Sequence, residues 1–127
     1  MKDSFDLIIF DWDGTLVDSV DWIVHCLTIA AGKQGCDIPS EQAIKDIIGL
    51  SIQEALQNLF PGINQNTQEQ LITCYGQEFF SKQISADDLF AGVNEMLLKL
   101  KKQGYQLAVA TGKSRAGLDK AMNGTGL

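Results

Sequence analysis

Asp11 and Asp13 stand one residue apart at the end of the apolar run IIF, with Gly14 directly after them, all inside IIFDWDGTLVDS at residues 8–19. Two acids in this position can do phosphorus chemistry. A carboxylate can attack a phosphoryl group and form an acyl phosphate. Its charge repels a phosphate dianion, and a hard cation such as Mg²⁺, bound through oxygens, removes that barrier and orients the pair. A second acid two residues on can protonate the leaving oxygen and then activate water. Gly14 lets the chain turn sharply. A second patch lies in LAVATGKS, residues 107–114. Thr111 offers a hydroxyl there, and the Gly112 amide, taken as opening the next helix, is a natural anion site.

Other patterns compete for these residues. A calcium loop starting at Asp11 would need an acid or amide at its fifth position, glycine at its sixth and glutamate at its twelfth. Those positions hold Thr15, Leu16 and Trp22, so the pattern fails. TGKS at 111–114 ends like a P-loop, but that motif needs a glycine where Leu107 stands. A purely structural role makes Asp13–Gly14 a turn and Asp18 a helix cap. It serves Asp11 poorly, because a carboxylate at a buried strand end costs energy unless a partner or metal meets it. The three cysteines, Cys26, Cys36 and Cys74, are odd in number and widely spaced, which predicts free thiols in a reducing compartment. His25 is the one histidine; as a helix neighbour of Cys26 it does not face it, and both read as structural.

The elements that would position the acids follow from periodicity. FDLIIF, residues 5–10, predicts a strand buried on both faces, and YQLAVATG, residues 105–112, a second one. A β–α–β crossover makes such strands parallel. Sites in parallel sheets lie beyond the carboxyl ends of the strands, so Asp11 and Thr111 should share one rim. Between them the pattern predicts a helix over 18–31, capped by Asp18 or Ser19, with Val20, Ile23, Val24, Leu27 and Ala31 as its apolar stripe. A second helix opens at Ser40 and ends at Gly49. A third follows Ser51, with Ser51 and Glu54 at capping-box spacing. A fourth, over 68–82, follows Thr67. After Ser85 come a turn, a helix stopped by Gly104, the second strand, and a last helix fading into a glycine-rich end.

A chain of 127 residues, 45% apolar and 20% charged, suits one ordinary globular domain or one with a modest insertion. Its net charge of −6 and lack of a basic run speak against nucleic acid and anionic membrane as partners. Lys99, Lys101 and Lys102 read as the solvated end of a helix. The apolar runs are too short to span a bilayer and no signal peptide is recognisable, so a cytoplasmic protein is expected.

D-x-D-G-T-L-V-D-S at 11–19 resembles the first motif of the haloacid dehalogenase-like (HAD) superfamily, and LAVATGKS at 107–114 resembles its second. The helical block between them is similar to the family's inserted cap, and LFAGV at 89–93 to the return to the core. The likeness is greatest to phosphoglycolate-phosphatase-like members and covers essentially the whole chain. It implies an α/β fold: a partial Rossmann-like core of parallel strands over 1–16 and 86–127, with an α-helical cap over 17–85. It implies Asp11 as nucleophile, Asp13 as acid/base, and Mg²⁺ held by the Asp11 carboxylate and the Asp13 backbone carbonyl. Thr111 and Gly112 would hold the phosphate. Gly49, Leu50 and Ser51 would face the substrate, a simple helix–helix turn being the other reading of those three. An acid at Asp13, which family dehalogenases and phosphonatases lack, favours a phosphatase or phosphomutase. The implied substrate is a small phosphorylated metabolite, a phosphoglycolate-like phosphomonoester. The alternatives are a sugar phosphomutase and a truncated module without turnover.

The family pattern continues downstream with a charge-neutralising lysine and an acidic pair that completes the Mg²⁺ site. Lys113 lies too close to the second motif to be assigned that lysine role, and Lys120 reads as solvated. The chain is therefore expected to be an N-terminal portion of an enzyme and a poor catalyst alone, since one lost electrostatic donor costs on the order of 10²–10³ in rate. Two predicted strands leave an open sheet, so self-association through the incomplete core is expected.

Overall fold

The computed structural model describes residues 6–127; Phe5, which opens the predicted first strand, lies outside the described residues. In chain order the elements are β1 (Leu7–Phe10), α1 (Val20–Lys33), α2 (Glu41–Asp46), α3 (Ile52–Leu59), α4 (Gln65–Phe79), a 3₁₀ turn (Ala86–Asp88), α5 (Val93–Lys102), β2 (Gln106–Val109) and α6 (Arg115–Thr125). This is the expected α/β class. β1 and β2 pair in parallel, with Leu7 opposite Gln106 and Phe10 opposite Val109. The two strands are not buried on both faces, as their apolar runs predicted. Ile8, Phe10, Leu107 and Val109 are partly covered, while Leu7 and Ile9 on the alternate face are 46% and 60% exposed. An apolar run records what a strand tolerates; it cannot record whether a second layer is there to cover it.

Residues 20–79 build a helical block with its own core. Ile23, Cys26, Leu27 and Ala30 of α1 close against Ile44, Leu56, Leu71 and Phe79. α1 packs on α4, and two contacts reach the last residues of α4: Trp22 Nε1 donates to the Phe79 carbonyl at 3.1 Å and Lys33 pairs with Glu78 at 3.1 Å. Burial pushes the Cys26 thiol up to about 12, leaving it protonated and unreactive, while His25 is exposed and stacks on Trp22. Three helices of this block start at side-chain caps: Ser40 accepts from the Ala43 amide, Ser51 from Glu54 and Asn64 from Thr67. The Asn64 cap is why α4 begins at Gln65, earlier than predicted, and turns Thr67 into a first-turn residue. Ser19 precedes α1 but makes no cap bond; its hydroxyl is used elsewhere.

The second core gathers Trp12, Leu16, Val17, Val93, Leu118 and Ala121 beneath the covered sheet face. The segment after β1 is stitched to the segment returning from the helices: the Asp18 amide donates to Asp88 O at 2.8 Å and the Phe90 amide to Leu16 O at 3.0 Å. α6 does not fade at its glycines. It stays helical to Thr125, because Leu118, Ala121 and Thr125 are buried and packing outweighs local propensity. Among the described residues no helix is long and apolar enough to cross a membrane.

Candidate functional site

The rim forms where the two strands end. The Ala110 amide donates to Phe10 O at 2.9 Å, so Asp11 and Thr111 leave adjacent strands side by side. Beyond Asp11 the chain winds tightly. The amides of Thr15, Leu16 and Val17 converge on Trp12 O at 3.2, 3.1 and 3.2 Å, and Gly14 N donates to Val17 O at 2.9 Å. Gly14 has φ +78°, a conformation that side chains resist. Trp12, 1% exposed, anchors the loop in the second core.

This winding separates the two acids. Asp11 is exposed, and its Oδ1 accepts from the Trp12 amide at 2.8 Å. The expected desolvation penalty at Asp11 is therefore absent, and burial supplies no argument that a partner must meet it. Asp13 turns inward. Its Oδ1 accepts from Ser19 Oγ at 2.7 Å, and its Oδ2 lies 3.5 Å from Lys113 Nζ. Only 13% of the Asp13 side chain and 15% of the Lys113 side chain are exposed, so the pair is shielded from solvent. The same ammonium sits 4.4 Å from the centre of the Phe79 ring, at the end of α4.

On the second strand end, Thr111 Oγ1 accepts from the Lys113 amide at 3.2 Å. Gly112 does not open α6, contrary to expectation. The cap residue is Ser114, whose hydroxyl accepts from the Gly117 amide at 3.1 Å, and the helix begins at Arg115. Gly112 lies in the loop before it, where the backbone of residues 49–50 presses on it. A Cβ at Gly112 would fall 2.3 Å from Leu50 O and 2.8 Å from Gly49 O, so only glycine fits. Of the three candidate residues on the helical block, Gly49 and Leu50 reach the rim loop, while the Ser51 hydroxyl is committed to capping α3.

A cleft of about 220 Å³ runs between the two halves. Asp13, Gly112 and Lys113 line it from one side and Gly49, Leu50 and Tyr75 from the other; Asp11 and Thr111 stand outside the lining. Burial, and next to it the Asp13 charge, hold the Tyr75 phenol far above its ordinary range, so it remains neutral. Lys113 was left unassigned by sequence, although its place two residues after Thr111 puts it on the shared rim. Lys120, expected to be solvated, is on an exposed part of α6 but carries its ammonium 4.5 Å from the Phe80 ring centre. Among the described residues no three His, Cys, Asp or Glu side chains gather as a metal cluster.

The family model described as haloacid dehalogenase-like hydrolase matches residues 8–127. Two curated relatives are a tyrosine-protein kinase, PtkA, of Mycobacterium tuberculosis and a probable phosphatase, IndB, of Dickeya dadantii. The first is 31% identical over 112 residues, which are 88% of this chain and 38% of that protein. The second is 33% identical over 124 residues, 95% of this chain and 54% of that protein. The chain thus spans about half, or less, of the length of the curated relatives it matches. Among solved structures, a hydrolase from Pseudomonas syringae superposes with a TM-score of 0.84 at 25% identity, covering 97% of this chain and 57% of that one. β-Phosphoglucomutase from Clostridium difficile superposes at 0.82 with 18% identity over 97% of this chain and 57% of that one, a likeness of fold alone.

Proposed function

The chain belongs to the haloacid dehalogenase-like hydrolase family, and on that premise we propose that its rim is the phosphoryl-transfer site of a Mg²⁺-dependent phosphatase acting on a small phosphomonoester. The observation that carries this reading is the division of labour between the two acids. Asp11 is exposed at the strand end, open to an incoming phosphate, while Asp13 faces the cleft in an ion pair with Lys113 at 3.5 Å. The two relatives, a tyrosine-protein kinase and a probable phosphatase, have phosphoryl transfer in common.

In this reading Asp11 Oδ2 attacks phosphorus, because Oδ1 is engaged by the Trp12 amide. The bond from phosphorus to the leaving oxygen breaks, and Asp13, which must first take up a proton from solvent, passes that proton to the leaving oxygen. Asp13 then takes a proton from water as it attacks the aspartyl phosphate, returning Asp11 to its free form. Ser19 holds the Asp13 carboxylate in place by its hydrogen bond, and Lys113 adds positive charge beside the transferring group. Thr111 and the loop at Gly112 would hold phosphate oxygens. The donors at the rim are hard oxygens, an exposed carboxylate and a backbone carbonyl, which suits Mg²⁺, an ion that takes one or two carboxylates and completes its shell with phosphate and water. Bound by Asp11 and the Asp13 carbonyl, Mg²⁺ would neutralise charge between nucleophile and phosphate. Phosphoglycolate, the class the resemblance implies, is one such monoester, and the cleft lining decides among them. The three free thiols suit a reducing compartment, which supports a cytoplasmic setting.

The test is release of p-nitrophenol from p-nitrophenyl phosphate by the concentrated protein, with and without Mg²⁺, beside Asp11→Asn. The expected result is Mg²⁺-dependent release that the substitution abolishes. No Mg²⁺-dependent release, or an Asp11→Asn rate equal to the parent's, contradicts the reading.

A further inference from the structure

We propose that the cleft beside Asp13 takes a phosphomonoester whose alcohol part is apolar, uncharged and about the size of one six-membered ring, and that it excludes carboxylate-bearing alcohols. The proposal rests on the phosphatase reading of the rim and names the leaving group that the same site would accept.

The lining changes character over a short distance. Beside Asp13 and Lys113 the wall is built by Ile23, Leu27, Ile48 and Ile72, with the Phe79 ring under the Lys113 ammonium. Among the described residues lining the cleft, Lys113 is the one cation. Its ammonium is already engaged by Asp13 at 3.5 Å and by the Phe79 ring face at 4.4 Å. Tyr75 stays neutral, because burial holds its phenol protonated. A substrate carboxylate entering past the Asp13 charge would meet aliphatic side chains and, among the described residues of the lining, no cation that is not already engaged. Burying an unpaired carboxylate is strongly unfavourable, whereas burying apolar surface is favourable.

Size agrees with this. The cleft offers about 220 Å³. An apolar cavity of about 150 Å³ is enough to take up benzene. A phenyl or cyclohexyl group would fill the aliphatic end while its phosphate stays at the Asp13 end, against the Gly112 loop.

The experiment measures binding by calorimetry to the full chain in an Asp11→Asn background, which removes turnover. The probes are phenyl phosphate, phosphoglycolate, inorganic phosphate and phenol. Phenyl phosphate should bind about tenfold or more tighter than inorganic phosphate, from ring burial alone. Phosphoglycolate should bind no tighter than inorganic phosphate. Ile48→Arg, which puts a cation in the aliphatic wall, should reverse the order of the two esters. Ile47→Arg makes the same change from the neighbouring position should Ile48→Arg fail to fold by circular dichroism. Phosphoglycolate binding as tightly as phenyl phosphate in the parent overturns the inference and leaves the phosphatase reading standing. Phenol binding without any binding of inorganic phosphate removes the phosphatase reading and leaves an apolar pocket. Absence of binding by phenol and phenyl phosphate alike overturns the inference.

Discussion

The two halves of this molecule close their cores in different ways. The helical block of α1–α4 is self-contained: each helix satisfies its own backbone, and Cys26, Ala30, Ile44 and Leu56 are completely shielded where the helices meet. The sheet half is not. Its two strands cover one face with α5, α6 and the loop after β1, and leave Leu7 and Ile9 in solvent on the other. A strand passes its hydrogen bonds and its apolar faces to neighbours, so a two-stranded sheet keeps unmet surface where a helix bundle of similar size does not. The candidate chemistry sits on the open half, at the ends of β1 and β2, and the closed half supplies the roof through Gly49, Leu50 and Phe79.

If chemistry belongs to the rim and stability to the helical block, substitutions should separate the two. After the abolition expected for Asp11→Asn, the largest effect is expected at Asp13→Asn, which should lower turnover by on the order of 10²–10⁴. Urea unfolding of the same variant should leave the helical transition in place; loss of the fold in step with activity would break the division. Next, Leu56→Ala in the helical core should cost about 2–5 kcal/mol by urea unfolding. Ile9→Ser on the open sheet face should cost under about 0.5 kcal/mol. Equal costs would mean that the open face is covered in solution. We propose that a second copy of the chain is what covers it when concentration rises. Sedimentation velocity should then show association that weakens with Ile9→Lys, and a concentration-independent monomer would count against this.

A further expected effect concerns pH. The Cys26 thiol is raised from its ordinary 9.0 to about 12 in the folded protein, chiefly by burial. Between those values the unfolded chain loses a proton that the folded chain keeps. Stability contributed by the neutral thiol is therefore complete below about pH 9 and declines as pH rises toward 12. Tyr75, partly buried on α4 and raised in the same direction, adds to the decline above its own ordinary value. The urea midpoint should fall over this range, and less steeply in Cys26→Ala.

Much of the rim was legible in the sequence, because a parallel crossover forces Asp11 and Thr111 to one edge whatever lies between them. The sharp turn at Gly14 and the caps at Ser40 and Ser51 were legible too, since each is a local event. What escaped depends on long-range packing. The Lys113–Asp13 pair joins the two ends of the chain, and no local pattern announces it. The exposure of Ile9 depends on whether another layer packs on that face, which composition cannot report. The start of α6 turned on Ser114 outcompeting Gly112 as cap, a choice between residues two apart that spacing alone does not make.

The most direct measurement is to mix the protein with Mg²⁺ and p-nitrophenyl phosphate, quench in acid, reduce with borohydride and locate the modified residue by peptide mass spectrometry. The account predicts a modification confined to Asp11 and absent in Asp11→Asn. A phosphoryl group on another residue, or turnover that leaves Asp11 unmodified at every quench time, would contradict it.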